Sequence, residues 1–246
     1  MNTAITAYQT GNTVTLEQIT EVIFSQLDVM LVALIACALT LLVLWLVLHR
    51  EWKASQFWSA SRFLKAPIGI CALLGLFLNL FTDGAVYFSQ ITKIFPEYEA
   101  LMSSLIGRHL FLELLGVALL APVVEEIIFR GVILRRLLRR SALPPAAAVV
   151  LQALLFSLIH GNVVQGLYAF VLGIVLGLLY VWFESIWAVV AVHVFYNLFS
   201  VVMSNSPLAG VEIPDAVLAG MTAAALLISA GLLVWLAKKR RKELSV

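Results

Sequence analysis

The chain has 246 residues, 62% of them hydrophobic and only 12% charged, with a formal net charge of +2. An average soluble domain is about 45–50% apolar and about 25% charged, so the composition excludes a soluble globular protein and a disordered chain. A mean hydropathy of +1.02 and so small a charge also exclude a nucleic-acid binder and make membrane lipid the expected surroundings.

A helix that crosses a bilayer needs about 20 mostly apolar residues at 1.5 Å rise each. Asp28 to His49 meets this without a charge between its ends, and Ala66 to Thr82 is shorter but uncharged. Cys37 and Cys71 lie in these runs; two such thiols exclude a disulfide scaffold and read as inert. A third run starts near Leu110 and continues through Leu120 into Pro122, Glu125 and Glu126. Ser141 to Pro145 is a loop, where Pro144-Pro145 marks a hairpin. Ala146 to His160, Val163 to Phe183, Ile186 to Met203 and Ala216 to Ala237 complete the set. The expected fold is all-α, a polytopic membrane bundle of roughly seven transmembrane helices. Barrel strands would alternate apolar and polar residues with period 2, and these runs do not. The expected organisation is a polar extracytoplasmic segment over 1–27, a transmembrane domain over 28–237 and a basic cytoplasmic tail over 238–246.

Lys and Arg placement sets the expected orientation. Residues 1–27 have neither, whereas the first loop carries Arg50, Lys53, Arg62 and Lys65. Lys93 and Arg108 are mixed with Asp83, Glu97 and Glu99. Arg135, Arg136, Arg139 and Arg140 follow, and Lys238 to Lys242 form the tail. Alternating sides gathers the basic clusters on one face, with the N-terminus outside and the C-terminus in the cytoplasm. No cleaved signal peptide is expected, because a basic n-region is missing and the first apolar run is too long. The arginines of 131–140 read as topology anchors, and Gly173 and Gly177 as a small-xxx-small pair for close helix packing.

Ionisable groups at membrane depth cost at least a few kcal/mol, so each needs a partner or a task. Four places stand out: Glu125-Glu126 with Arg130, then His160, His193 and Asn197. Glu126 and Arg130 are i,i+4 with the acid first, the better orientation for a pair. Neighbours on a helix lie about 100° apart, so Glu125 faces elsewhere without a local partner. Either both carboxylates serve one structural network with Arg130, or that pair is the support and Glu125 the working carboxylate. His160 ends Phe156–His160 before Gly161-Asn162, and reads either as an interfacial residue or as a catalyst. An axial distance of about 22 Å from Ala146 would set it toward the outer side, away from Glu125 and His193. His193 and Asn197 share a helix face, as glue between helices or as functional groups. Together these types can run a hydrolysis: a carboxylate takes a proton from water, a histidine positions the water, and donors hold an oxyanion. Glu125, His160 and His193 could instead hold zinc, although no H-E-x-x-H signature is present.

At these residues the chain resembles the CPBP family of intramembrane proteases, which includes type II CAAX prenyl endopeptidases and bacteriocin-processing proteins. The family motifs E-E-x-x-x-R, F-x-x-x-H and H-x-x-x-N stand here, in order, as Glu125-Glu126 with Arg130, Phe156 with His160, and His193 with Asn197. The resemblance covers about 110–203. It implies an intramembrane endopeptidase acting on a membrane-associated protein or peptide, in a bacterial inner membrane. It further implies Glu125 as the base that activates water, His160 as a water ligand, and His193 with Asn197 as the oxyanion site. Glu126 and Arg130 would support that geometry, next to Phe156 of the second motif. No cofactor is implied, zinc being the alternative. The competing readings are a zinc protease with the same residues, a proton- or ion-coupled transporter, and an inactive scaffold or immunity factor. Paired Gly/Pro-broken helices of a transporter are missing from the sequence.

Overall fold

The computed structural model describes residues 29–54, 67–105, 109–140 and 142–244. The polar segment 1–27, Arg62, Lys65 and Arg108 lie outside the described residues. Helices α1 (Val29–Ala54) and α2 (Ile68–Ser89) come first, then the short α3 (Glu97–Leu105). Residues 110–140 form one long helix, α4. After it come α5 (Pro145–Leu158), α6 (Val163–Phe183), α7 (Ile186–Ser204) and α8 (Asp215–Leu244). There is no strand among the described residues.

Among the described residues five helices, α1, α2, α6, α7 and α8, are long and apolar enough to cross a membrane. The count of seven is not reached by that measure. The third expected span lies in α4, and the fourth is the 14-residue α5, short of the length a straight crossing needs. Two helices also outrun their expected ends. α1 continues to Ala54, so Arg50 and Lys53 belong to its last turns rather than to a loop. α2 continues to Ser89, where Gln90 takes a left-handed conformation, so Asp83 lies in a helix and not beyond one.

Polarity is distributed as a bilayer requires. Large apolar side chains such as Val47 and Leu227 are more than 70% exposed, while Glu126 and Arg130 are fully buried. α7 occupies the middle, with Val189, Val192 and Val201 fully buried. It lies so close to α2 that a Cβ on Gly75 would collide with the Val192 carbonyl oxygen. α5 packs on α6 in the same way, Gly173 facing Ala153 and Gly177 facing Val149. Gly161, at φ +64, makes the reversal between them, and Asn162 then caps α6 by accepting from the Gln165 N–H at 3.1 Å.

α4 is not a uniform α-helix. It is α-helical over Leu110–Glu113, Ala121–Glu126 and Arg135–Arg140, and π-helical over Leu114–Leu120 and Ile127–Leu134. Pro122 accounts for the first wide stretch. A proline ring inside an α-helix clashes with the carbonyl four residues back and offers no N–H. Widening the turn relieves the clash, and the Ala121 N–H bonds five residues back to Gly116. The six residues that carry both glutamates are thereby held between two wide stretches.

Candidate active site

The hairpin at Pro144-Pro145 sets the depth of everything that follows. Arg130 lies ten residues before Arg140, and Phe156 eleven residues after Pro145, each about 15–17 Å along its helix. The two therefore meet at one level: the Arg130 guanidinium sits over the Phe156 ring, 4.6 Å from its centroid. One turn farther from the hairpin are Glu125 and Glu126 on one strand of it and His160 on the other. The expected separation of His160 from Glu125 and His193 is thus corrected. All three, with Asn197, line a single cavity of about 240 Å³. Depth is measured from the end of α4, which runs on through its arginines, and not from a membrane face.

Behind the cavity is a buried chain of contacts. Arg130 Nη1 donates to Glu126 Oε1 at 2.8 Å, and Nη2 donates to the Gly173 carbonyl at 3.3 Å. The same Glu126 oxygen lies 2.8 Å from His193 Nδ1. A carboxylate already taking an arginine proton is an acceptor, so Nδ1 of His193 carries the hydrogen. The ring then turns Nε2 to Glu125, whose Oε2 lies 3.6 Å away. Glu125 is 25% exposed and Glu126 is not exposed at all, which separates the carboxylate of the cavity from the carboxylate of the wall. The 100° between neighbours produces this split.

Phe156 is the hub of the wall. It is fully buried, and its ring meets His160 and His193 edge to face, with centroids 5.0 and 5.8 Å apart. His160, just past the end of α5, has its Nδ1 2.8 Å from the Phe156 carbonyl oxygen, one of the carbonyls a helix end leaves unpaired. That contact fixes the ring with Nε2 free to turn elsewhere.

Asn197 has a structural partner that sequence reasoning missed. Its Nδ2 donates to the Val117 carbonyl at 2.9 Å. In the α register that carbonyl would take the N–H of Ala121, which bonds to Gly116 instead. In the π register it would take the N–H of residue 122, which is proline. Asn197 supplies the hydrogen that the backbone cannot. An asparagine amide has two such hydrogens, and the second is left for other work.

Other buried polar residues were not expected at membrane depth. Glu113 is 1% exposed, accepts the His109 N–H at 3.0 Å and accepts from Asn205 Nδ2 at 2.7 Å. Gln152 and Asn79 are also buried. Their runs are so apolar that hydropathy alone hides single polar members; only their azimuth, facing the bundle, distinguishes them.

A zinc site would need Glu125, His160 and His193 to converge on one point. Among the described residues no three His, Cys, Asp or Glu side chains gather in that way, while the engaged Nδ1 of each histidine leaves Nε2 as the atom that would meet a water or a metal.

Residues 107–199 match the family described as type II CAAX prenyl endopeptidase Rce1-like. Over this stretch, less than half of the chain, the sequence is similar to that family. The match begins just ahead of α4 and ends within α7, so it takes in both glutamates, both histidines and Asn197. No curated protein and no solved structure matches the chain. The matched family is one of peptidases, and the apolar helices make this chain an integral membrane protein. In the matched stretch the three sequence motifs come together on α4, α5 with its following turn, and α7 around one cavity.

Proposed function

We propose that the chain is an intramembrane endopeptidase that hydrolyses a peptide bond in a membrane-associated protein or peptide. The observation that carries this reading is the position of His193 between two glutamates of unequal exposure, one sealed in the wall and one open to the cavity. Glu125 takes a proton from water as the water oxygen attacks the carbonyl carbon. It returns that proton to the leaving nitrogen as the C–N bond breaks. His160 holds the water. His193 and the uncommitted hydrogen of Asn197 meet the oxyanion. With Nδ1 of His193 directed at Glu126, Nε2 is the ring atom that faces Glu125 and the oxyanion. Glu126, Arg130 and Phe156 hold the ring in place and touch no substrate.

The excess of Lys and Arg around α4 and in the tail fits a bacterial inner membrane with the C-terminus in the cytoplasm. The working unit is the segment of about 110–203, with the remaining helices closing the cavity around it.

The test is a comparison of membrane fractions from cells carrying the parent or the Glu125→Gln protein, scored for precursor proteins that accumulate. Glu125→Gln is expected to lower cleavage by about 10²–10⁴-fold, the usual contribution of a positioned base, while the protein stays folded in the membrane. Retained cleavage by that variant would refute the assigned base.

A further inference from the structure

The cavity extends beyond the histidines to a second polar end, built by α2, α3 and α6. Asp83 on α2 lines it together with Tyr98, Tyr168 and Tyr196. The Asp83 carboxyl makes no hydrogen bond or ion pair with another described residue. The rings of Tyr98 and Tyr168 meet edge to face with centroids 6.4 Å apart, and Asp83 is within electrostatic reach of both. The Tyr196 hydroxyl is fixed 2.6 Å from that of Thr82, the residue before Asp83. Among the described residues no Lys or Arg lines the cavity, and the carboxylates that line it are Asp83 and Glu125.

Glu125 has His193 facing it, whereas Asp83 faces open space. A carboxylate exposed into that space with no partner among the described residues gains from any cation that reaches it. Aromatic faces beside a carboxylate add a second attraction, of ring quadrupole for cation. A lysine ammonium or arginine guanidinium satisfies both at once.

Resting on the endopeptidase reading above, we propose that Asp83, Tyr98 and Tyr168 form a cation subsite that selects substrates with a Lys or Arg side chain close to the scissile bond. Tyr196 gives the spacing. It follows His193 by three residues on α7, about 4.5 Å along the axis. An extended peptide advances about 3.3 Å per residue, so the basic residue lies within about three residues of the bond that is cut.

The experiment uses the full chain in lipid vesicles and a peptide library made by cutting a bacterial proteome after glutamate, which leaves Lys and Arg inside the peptides. New termini are read by mass spectrometry for the parent and for Asp83→Asn, Asp83→Glu, Asp83→Lys and Glu125→Gln. The readout is the ratio of basic to neutral residues at each position from the cut, taken within each preparation, so protein yield cancels. The parent is expected to favour Lys or Arg at one position by about tenfold, as a charge-assisted contact gives. Asp83→Glu keeps the preference, Asp83→Asn brings it near unity, and Asp83→Lys turns it toward Asp and Glu. A parent without that preference overturns the subsite whether or not the variants fold, and so does an equal preference in Asp83→Asn. Cleavage no greater than that of Glu125→Gln would instead sink the endopeptidase reading itself, and the subsite with it.

Discussion

Oε1 of Glu126 lies 2.8 Å from Nδ1 of His193, across 67 residues of sequence, and the same oxygen takes the Arg130 guanidinium at 2.8 Å. One carboxylate oxygen thus links the central helix α7 to the wall of α4, and both of its local partners are buried.

Removing one member of such a pair leaves the other charge uncompensated, at about 3–5 kcal/mol. Glu126→Ala and Arg130→Ala should therefore lower thermal stability in detergent together with activity. The Glu126 variant should be the worse catalyst per folded molecule, because it also frees the His193 ring. Melting temperatures equal to the parent's for both variants would contradict the supporting role.

Asn197 stands in for a backbone donor that Pro122 cannot provide. Asn197→Ala leaves the Val117 carbonyl without its hydrogen and should cost about 1–3 kcal/mol in addition to activity. Asn197→Asp offers an acceptor to an acceptor and should be no better. Thermal unfolding read beside cleavage decides this: a variant that loses cleavage with an unchanged melting curve would assign Asn197 to chemistry alone.

Cys37 lines the cavity with Glu125, whereas Cys71 is fully buried in the core. Contrary to the inertness expected of both thiols, a small thiol reagent should modify Cys37, while Cys71 stays intact in the folded protein, and the adduct should block cleavage by filling part of about 240 Å³. Peptide mass mapping gives the modified site. Labelling of Cys71 first would mean that the helices around α2 pack differently.

We read the site as metal-free, with each histidine Nδ1 engaged and Nε2 left for water or oxyanion. A strong chelator is accordingly expected to leave cleavage by the purified protein unchanged. Loss of cleavage that added zinc restores would replace this mechanism with a metal-assisted one.

Much of the fold was legible in the sequence because hydropathy is additive along a chain. Val163–Phe183 is found at its expected bounds, and α7 differs from expectation by one residue. The bounds of α2 were not legible, since a single Asp at position 83 looks like a loop when nothing indicates what it faces. The short α5 and the wide turns of α4 were not legible either. They follow from how Pro122 is accommodated and from how α4 and α5 leave the hairpin.

Sequence alone determined what is local: a greasy helical chain, and the i,i+4 spacings that put Glu126 next to Arg130 and His193 next to Asn197. Those need only 3.6 residues per turn. Tertiary structure decided which glutamate opens to the cavity, that His193 stands between the two, that Asn197 serves the Val117 carbonyl, and that Asp83 shares the same space. Each of these depends on the rotation and depth of one helix against another. Those are set by packing between segments tens of residues apart, and no spacing along the chain encodes them.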